Sequence, residues 1–338
     1  MKVLFCPSDP GGCGYYRITQ VFIKYLSALQ SSVMPIYLGR QTLQSAGQDV
    51  TYTQRICGKL GFDELRKFKA ASKSKIIIDY DDLLWDPDNS VSNKYNMFLN
   101  RIDLKSAYKD MSENLSDVAD AVSVSCDALK DSLKQFYPED RIFVLPNRLS
   151  FKDFAYDRTL MIPTDDVFFY SGSQSHYSNS SKMYGDFSIP LANLLKTAPT
   201  IFMGDVPPWF FANCVYHENW ADLSVYSTVL YQTTRNAKFT LAPLVDNKFN
   251  KYKSDLKYLE SCAIGRICLV GDFPGSPYQL AHPMQKVPQN ASIDEIKGII
   301  ENCKAHYGEL LDYQYEYLNR RWLDTSVDDY DSMFESVL

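Results

Sequence analysis

The chain has 338 residues, 45% of them hydrophobic and 22% charged, with a formal net charge of −6. That length suits two domains of ordinary size, and no run approaches the ~18 apolar residues of a membrane span. The acidic balance argues against indiscriminate nucleic-acid binding while leaving room for a local basic patch.

Eight scattered cysteines form no Cys-x-x-Cys pair, and the opening MKVLFCPSDPGG has too short an apolar run for a signal peptide. Reduced thiols in a cytoplasmic protein, with no membrane association, are the expectation. The four histidines are isolated, so no metal site is expected.

Residues 2–6 read as an apolar strand that runs into PSDPGGCGYYR and then a helical pattern to about Leu29. Strand, glycine-rich turn and helix are the parts of a phosphate-approaching unit. Gly12 and Gly14 are in place, but Arg17 occupies the third glycine position, so the dinucleotide fingerprint fails. A plain tight turn has the same composition. Residues 33–38 predict a second strand. Between Arg55 and Lys75 lie seven basic residues and two acidic ones, partly helical in pattern, which also describes a solvated helix face.

KIIIDYDDLLWD begins as a buried strand and ends in carboxylates. Asp79 and Asp81 share a face if the strand continues through them, and strand ends line the ligand crevice of an α/β sheet. Capping of a following helix explains the same acids. Residues 101–118 predict a helix, and a strand, helix and strand follow to Pro146-Asn147. Such alternation argues for parallel sheets with crossover helices.

Residues 148–165 are polar and irregular, as a linker would be. VFFYSGSQSH repeats the opening logic with an apolar strand, Gly172, Ser173 and a polar loop carrying His176. Further strands are expected at 198–203 and 236–241.

Residues 246–278 are the most informative stretch. Asn250 is the predicted helix N-cap, Tyr252, Leu256, Leu259 and Ala263 form an apolar stripe, and Lys253, Lys257 and Glu260 form a charged one. Gly265 suits the left-handed residue that ends a helix, and residues 267–270 read as a buried strand closed by Gly271-Asp272. The amides of the helix start, with Lys253 and Ser254, attract phosphate. Glu260 lies about 10 Å further along the axis, the span from a diphosphate to its ribose. An ordinary amphipathic helix has the same spacing. Residues 294–338 are helical in pattern.

Four ordered segments, GGCGYYR, the strand to VLPN, YSGSQSH and FNKYKSDLKYLE, resemble retaining GT-B glycosyltransferases, especially small phage-encoded ones. The resemblance implies an α/β fold of two Rossmann-like domains whose parallel sheets face each other across a cleft. Residues 1–148 would form the acceptor-side domain and 149–321 the nucleotide-sugar domain, with a helix at about 322–338 packing back on the first.

It further implies metal-independent transfer from a UDP-sugar to an acceptor hydroxyl. Gly12, Gly14, Arg17, Gly172, Ser173, His176, Asn250, Lys253, Ser254, Lys257 and Glu260 would bind the donor. The family's usual first glutamate is replaced here by Tyr252. Asp79 and Asp81 would serve the acceptor catalytically. Arg66, Lys67 and Lys69 would grip phosphates if the acceptor is a hydroxymethylated pyrimidine in duplex DNA. A small-molecule, lipid or polysaccharide acceptor, a non-catalytic sugar- or nucleic-acid-binding protein, and a nucleotide-sugar epimerase are the alternatives. The pattern leaves the sugar and the oligomeric state open.

Overall fold

The computed structural model describes residues 1–8, 11–29, 47–85, 104–154, 163, 165–172, 176, 185–207, 209–210, 214–222 and 225–338. The expected strand at 33–38 and the expected donor contact Ser173 lie outside them. The chain divides into two compact units. The first comprises Met1–Arg148, Tyr252–Ser254 and Leu323–Leu338, the second Leu149–Lys251 and Asp255–Trp322.

In the first unit, strands β1 (Val3–Cys6), β2 (Val50–Gln54), β3 (Lys75–Tyr80), β4 (Ala121–Val124) and β5 (Ile142–Val144) form a parallel sheet in that order. Ile76, Ile77 and Ile78 are fully buried, as a strand covered on both faces requires. The glycine-rich turn leads through a π-helical segment, Tyr15–Thr19, into α1 (Gln20–Leu29). Helices α2 (Lys59–Ser72), α3 (Leu104–Val118) and α4 (Asp127–Leu133) supply the crossovers.

In the second unit, strands β6 (Phe168–Gly172), β7 (Thr200–Gly204), β8 (Cys214–Glu218), β9 (Phe239–Ala242), β10 (Ile267–Asp272) and β11 (Lys286–Pro288) are also parallel. Their order is β11-β10-β9-β6-β7-β8. Two half-sheets therefore wind outward in opposite directions from the β6–β9 pair. This is the doubly wound pattern, in which ligands bind beyond the carboxyl ends of the strands at the point of reversal.

Helix α5 (Ile189–Leu195) starts at Ser188, whose hydroxyl accepts the Leu191 amide at 3.3 Å. Helices α6 (Tyr226–Thr234), α7 (Leu256–Ala263), α8 (Ile293–Ala305) and α9 (Tyr307–Asn319) follow, α8 opening with a Ser292–Glu295 capping box. No helix among the described residues is long and apolar enough to cross a membrane.

The final helix, α10 (Val327–Glu335), belongs to the first unit, where Tyr330, Met333 and Phe334 enter the core under β1 and β2. The Phe334 ring meets Phe5, Tyr25 and Tyr52 at centroid distances of 6.0, 5.7 and 5.6 Å, all steeply inclined. Phe334→Ala is therefore expected to cost about 3–5 kcal/mol in chemical unfolding of the first unit. Leu60→Ala, at a position 81% exposed, should stay within about 0.5 kcal/mol of the parent.

Candidate functional site

The reversal between β6 and β9 gathers five of the eleven expected donor residues, Gly172, His176, Asn250, Lys257 and Glu260. β6 ends at Ser171-Gly172, and a Cβ on Gly172 would lie 2.5 Å from the Tyr170 ring, so only glycine fits. The Lys257 ammonium on α7 donates to the Ser171 carbonyl and sits 4.8 Å from the Tyr170 ring centroid. One turn later Glu260, 7% exposed, accepts a hydrogen bond from Tyr226 at the start of α6. Burial, followed by the Glu260 charge, pushes the Tyr226 phenol far above its ordinary range, so it remains a donor.

His176, in the loop after β6, places Nδ1 2.7 Å from Asp186 Oδ2. The other oxygen of that carboxylate accepts the Asn250 side-chain amide at 3.2 Å, and the same amide donates to the Val245 carbonyl at 2.9 Å. The carboxyl ends of β9, β10 and β11 border a small cavity of about 20 Å³, room for about one water, lined in part by Asp186, Leu244, Gly271 and Gln289.

The helix expected from Asn250 begins later. Residues Phe249–Tyr252 form a 3-10 turn, and α7 starts after Asp255. Asn250 is no cap, because its Oδ1 takes no backbone amide and the helix opens five residues later at Asp255. The Asp255 carboxylate is drawn to the Arg321 guanidinium, with bonds of 2.7 and 2.8 Å. Gly265 does adopt the left-handed conformation, φ +66°.

Lys253 and Ser254 therefore precede the helix and cluster with the first unit. Lys253 pairs with Asp82 at 3.4 Å, and the Ser254 hydroxyl accepts the Asn147 amide at 2.8 Å.

The remaining expected residues belong to the first unit as well. The Gly11–Gly14 turn needs no left-handed backbone, and a Cβ on Gly12 would meet nothing within 4 Å, whereas Gly14 is buried. Arg17 does not face solvent. Its guanidinium, 1% exposed, grips Asp79 with bonds of 3.0 and 2.6 Å and also donates to the Leu145 carbonyl and Asn147.

Asp79 is fully buried and further accepts from Ser123 at 2.6 Å and Tyr52 at 3.2 Å. It is thus the counter-ion of Arg17 rather than a group open to an acceptor. Strand β3 ends at Tyr80, so Asp81 does not continue its face. Arg55, one of two non-glycine residues with positive φ (60°) among the described residues, holds Asp81 at 2.6 and 2.8 Å and Asp82 at 2.9 Å.

The Cys13 thiol lies 3.0 Å from the Arg55 guanidinium. Cys13, Asp81 and Asp82 approach within 4.8 Å of one another, but Arg55 already supplies the positive charge between the two carboxylates.

The basic segment is compensated at close range. Arg66 pairs with Asp63 and Asp117, Lys67 with Glu64, and Lys69 with Asp120. Sequence reasoning missed Asp186, Tyr226 and Arg55. Only Arg55 carried a visible signal, as the first cation of the basic run preceding the Asp-Asp pair.

Two predictions follow from these pairs. Arg17→Met strands Asp79 without its cation and should cost about 3–5 kcal/mol in urea unfolding, most of it recovered when Asp79→Leu is added. Burial pushes the Asp81 carboxyl up, but the Arg55 charge and bonds outweigh it and leave the group below its ordinary value. A depressed carboxylate contributes stability above its unfolded value, about 3.9, and loses it as pH falls through the folded value. Thermal melts from pH 6 down to 2 should show Asp81→Asn with a shallower acid slope than the parent below about pH 4.

No protein-family model matches the chain, and no curated protein matches it in sequence. Among solved structures, HepE of Anabaena, crystallised with UDP and with UDP-glucose, aligns over 100% of both chains at 12% identity, with TM-scores of 0.62 and 0.63. A glycosyltransferase from Rickettsia africae aligns over 97% of this chain and 88% of its own, at 12% identity and TM-score 0.56. TarM of S. aureus, in complex with fondaparinux, alpha-GlcNAc-glycerol and UDP, aligns over 85% of this chain and 56% of its own, at 10% identity and TM-score 0.56. The fold of this chain is that of these GT-B glycosyltransferases, α/β with two parallel sheets of five and six strands.

Proposed function

We propose that this chain is a glycosyltransferase that moves a sugar from a UDP-sugar to an acceptor hydroxyl with retention of anomeric configuration. The observation that carries the reading is the convergence of Lys257, Glu260 and the His176–Asp186–Asn250 group on the β6–β9 reversal of the second unit. Support comes from HepE, a full-length structural neighbour crystallised with UDP-glucose.

The Glu260 carboxylate, steadied by Tyr226, accepts hydrogen bonds from the ribose hydroxyls, since an ionised carboxylate offers only acceptors. Lys257 and His176 supply positive charge where the diphosphate gains negative charge as the glycosidic bond breaks. Fixed charges of this kind stabilise the transition state without reorganising during the reaction. The acceptor hydroxyl attacks on the face the diphosphate leaves and passes its proton to the departing phosphate oxygen as the old glycosidic bond breaks, so no protein nucleophile is required.

For the acceptor, the charge pairing along α2 favours a small-molecule, lipid or polysaccharide hydroxyl over duplex DNA. Each of Arg66, Lys67 and Lys69 already has a carboxylate beside it, so fewer uncompensated cations remain to release counterions from a DNA backbone. The DNA reading retains one favourable observation, the 73% exposure of the Lys67 side chain.

Glu260→Ala should raise the dissociation constant of UDP about 10- to 100-fold by calorimetry, the loss of one or two charge-assisted hydrogen bonds. An unchanged constant removes the ribose assignment. Incubating the protein with a panel of UDP-sugars, and either oligosaccharide and glycerol acceptors or hydroxymethyl-pyrimidine duplexes, followed by mass analysis, decides the acceptor. Sugar transfer to the duplex alone would reverse the acceptor choice while leaving the transferase reading intact.

A further inference from the structure

Asp186 has no place in the scheme so far, yet it joins two of the donor-site residues. Its side chain is 2% exposed, and burying a carboxylate is costly unless each oxygen is served. One oxygen faces the His176 imidazole at 2.7 Å and the other the Asn250 amide at 3.2 Å. A carboxylate on Nδ1 fixes the ring's orientation and favours its protonated form. The His176 side chain is itself only 12% exposed, so the charge pair is shielded from bulk water.

The second observation is Asn250. Its Nδ2 donates to two acceptors, Asp186 and the Val245 carbonyl, and turning the amide over would set oxygen against oxygen at both. The orientation is therefore settled by its partners. Its Oδ1 is buried and finds no donor among the described residues. A buried acceptor without a donor costs about 1–3 kcal/mol, and such atoms call for a ligand or water to complete them. All three side chains lie beyond the carboxyl ends of β6 and β9, the strands flanking the reversal.

We propose that Asp186 is the positioning residue of the nucleotide-sugar site: it holds the His176 imidazolium toward the donor's diphosphate and orients Asn250 so that its Oδ1 accepts from the donor. The inference rests on the donor site proposed above. The consequence is a donor affinity that depends on pH. His176 carries its charge below its pKa in the complex, so affinity is full at low pH and falls as pH rises through that value.

The other charged and titratable groups on the surrounding elements are Lys257 and Glu260 on α7, Asp246 and Lys251 in the turn that carries Asn250, Tyr226 on α6 and Tyr278 after β10. Burial pushes both tyrosines well above their ordinary range. Imidazole is the one side chain whose ordinary pKa falls between about pH 5 and 8.

The test is calorimetric binding of UDP-glucose from pH 5.5 to 8, with uridine as the phosphate-free control. Both phosphates of UDP-glucose are diesters, so the ligand's own charge stays fixed across this range. The parent should bind UDP-glucose more weakly as pH rises. Asp186→Asn should bind it about 10-fold more weakly at pH 7 and move the fall in affinity to lower pH, with uridine binding unchanged in both. His176→Gln should flatten the profile, and it carries the same test if Asp186→Asn fails to fold.

Asp186→Asn binding UDP-glucose with the parent's pH profile, or a parent profile that is flat, overturns the inference and leaves the transferase reading standing. A parent that binds neither UDP-glucose nor uridine overturns both.

Discussion

Parallel sheets impose the constraint on which the rest of this structure depends. The central strands are covered on both faces, so most of them carry apolar side chains and polar groups collect beyond their carboxyl ends. Those groups are still largely buried, and a buried charge is tolerated only with a partner. The structure meets the condition pair by pair. Arg17 has Asp79, Arg55 has Asp81 and Asp82, Arg321 has Asp255, Asp186 has His176 and Asn250, and Glu260 has Tyr226. Such pairing adds little net stability, because desolvation consumes most of the attraction. It fixes geometry, since removing either member strands the other.

The two units use this device differently. In the first, the pairs unite full charges of opposite sign: Arg17 and Asp79 are 1% and 0% exposed, and Arg55 binds two carboxylates at once. Groups so evenly matched have little attraction left for a ligand. In the second, Arg321 and Asp255 make a pair of the same kind, but at the β6–β9 reversal charges also meet partners that are not full counter-ions. Glu260 is met by a phenol, Lys257 by a backbone carbonyl and an aromatic face, and Asp186 by an imidazole and an amide. A phenol or a backbone carbonyl offsets a charge only in part, which suits the proposed recognition of phosphates and ribose hydroxyls by Lys257 and Glu260. Arg17, buried against Asp79, therefore serves the first unit's own packing, and the proposed donor site is built from the second.

How much of this was legible in the sequence follows the range of each interaction. Strands β3, β6 and β10 announce themselves because parallel strands are unbroken apolar runs, III, VFFY and ICLV. β2, VTYTQ, does not. It buries Thr51, Thr53 and Gln54, with Thr51 bonded to Ser74 at 2.8 Å and Gln54 to Ser8 at 3.0 Å, so it reads as a polar segment.

At the site, Lys257 and Glu260 are one helical turn apart, a relation that spacing reveals. Arg17 was visible as a cation after a glycine-rich turn, but its partner stands 62 residues away and decides its role. Asp186 meets Asn250 across 64 residues and Asp255, at the start of α7, meets Arg321 across 66, and no local pattern encodes either. Local chemistry names the candidates, and long-range pairing chooses among them.

That choice also bears on how an anionic donor reaches an acidic protein. With a net charge of −6, the field at a distance disfavours a nucleoside diphosphate, and at physiological salt such a field fades within about 8 Å. Attraction must therefore come from groups within that range and shielded from water, where a charge is worth several times its value in solvent. Lys257 and His176 meet this condition, the first beside the end of β6 and the second on a carboxylate that is 2% exposed. Exposed lysines such as Lys67 do not, because solvent and a neighbouring glutamate already screen them. Donor binding governed by two shielded cations should thus resist added salt, whereas a grip on a nucleic-acid backbone through α2 would weaken steeply with it. The same physics compensates the cations along α2 with neighbouring carboxylates and favours the β6–β9 reversal as the proposed seat of recognition.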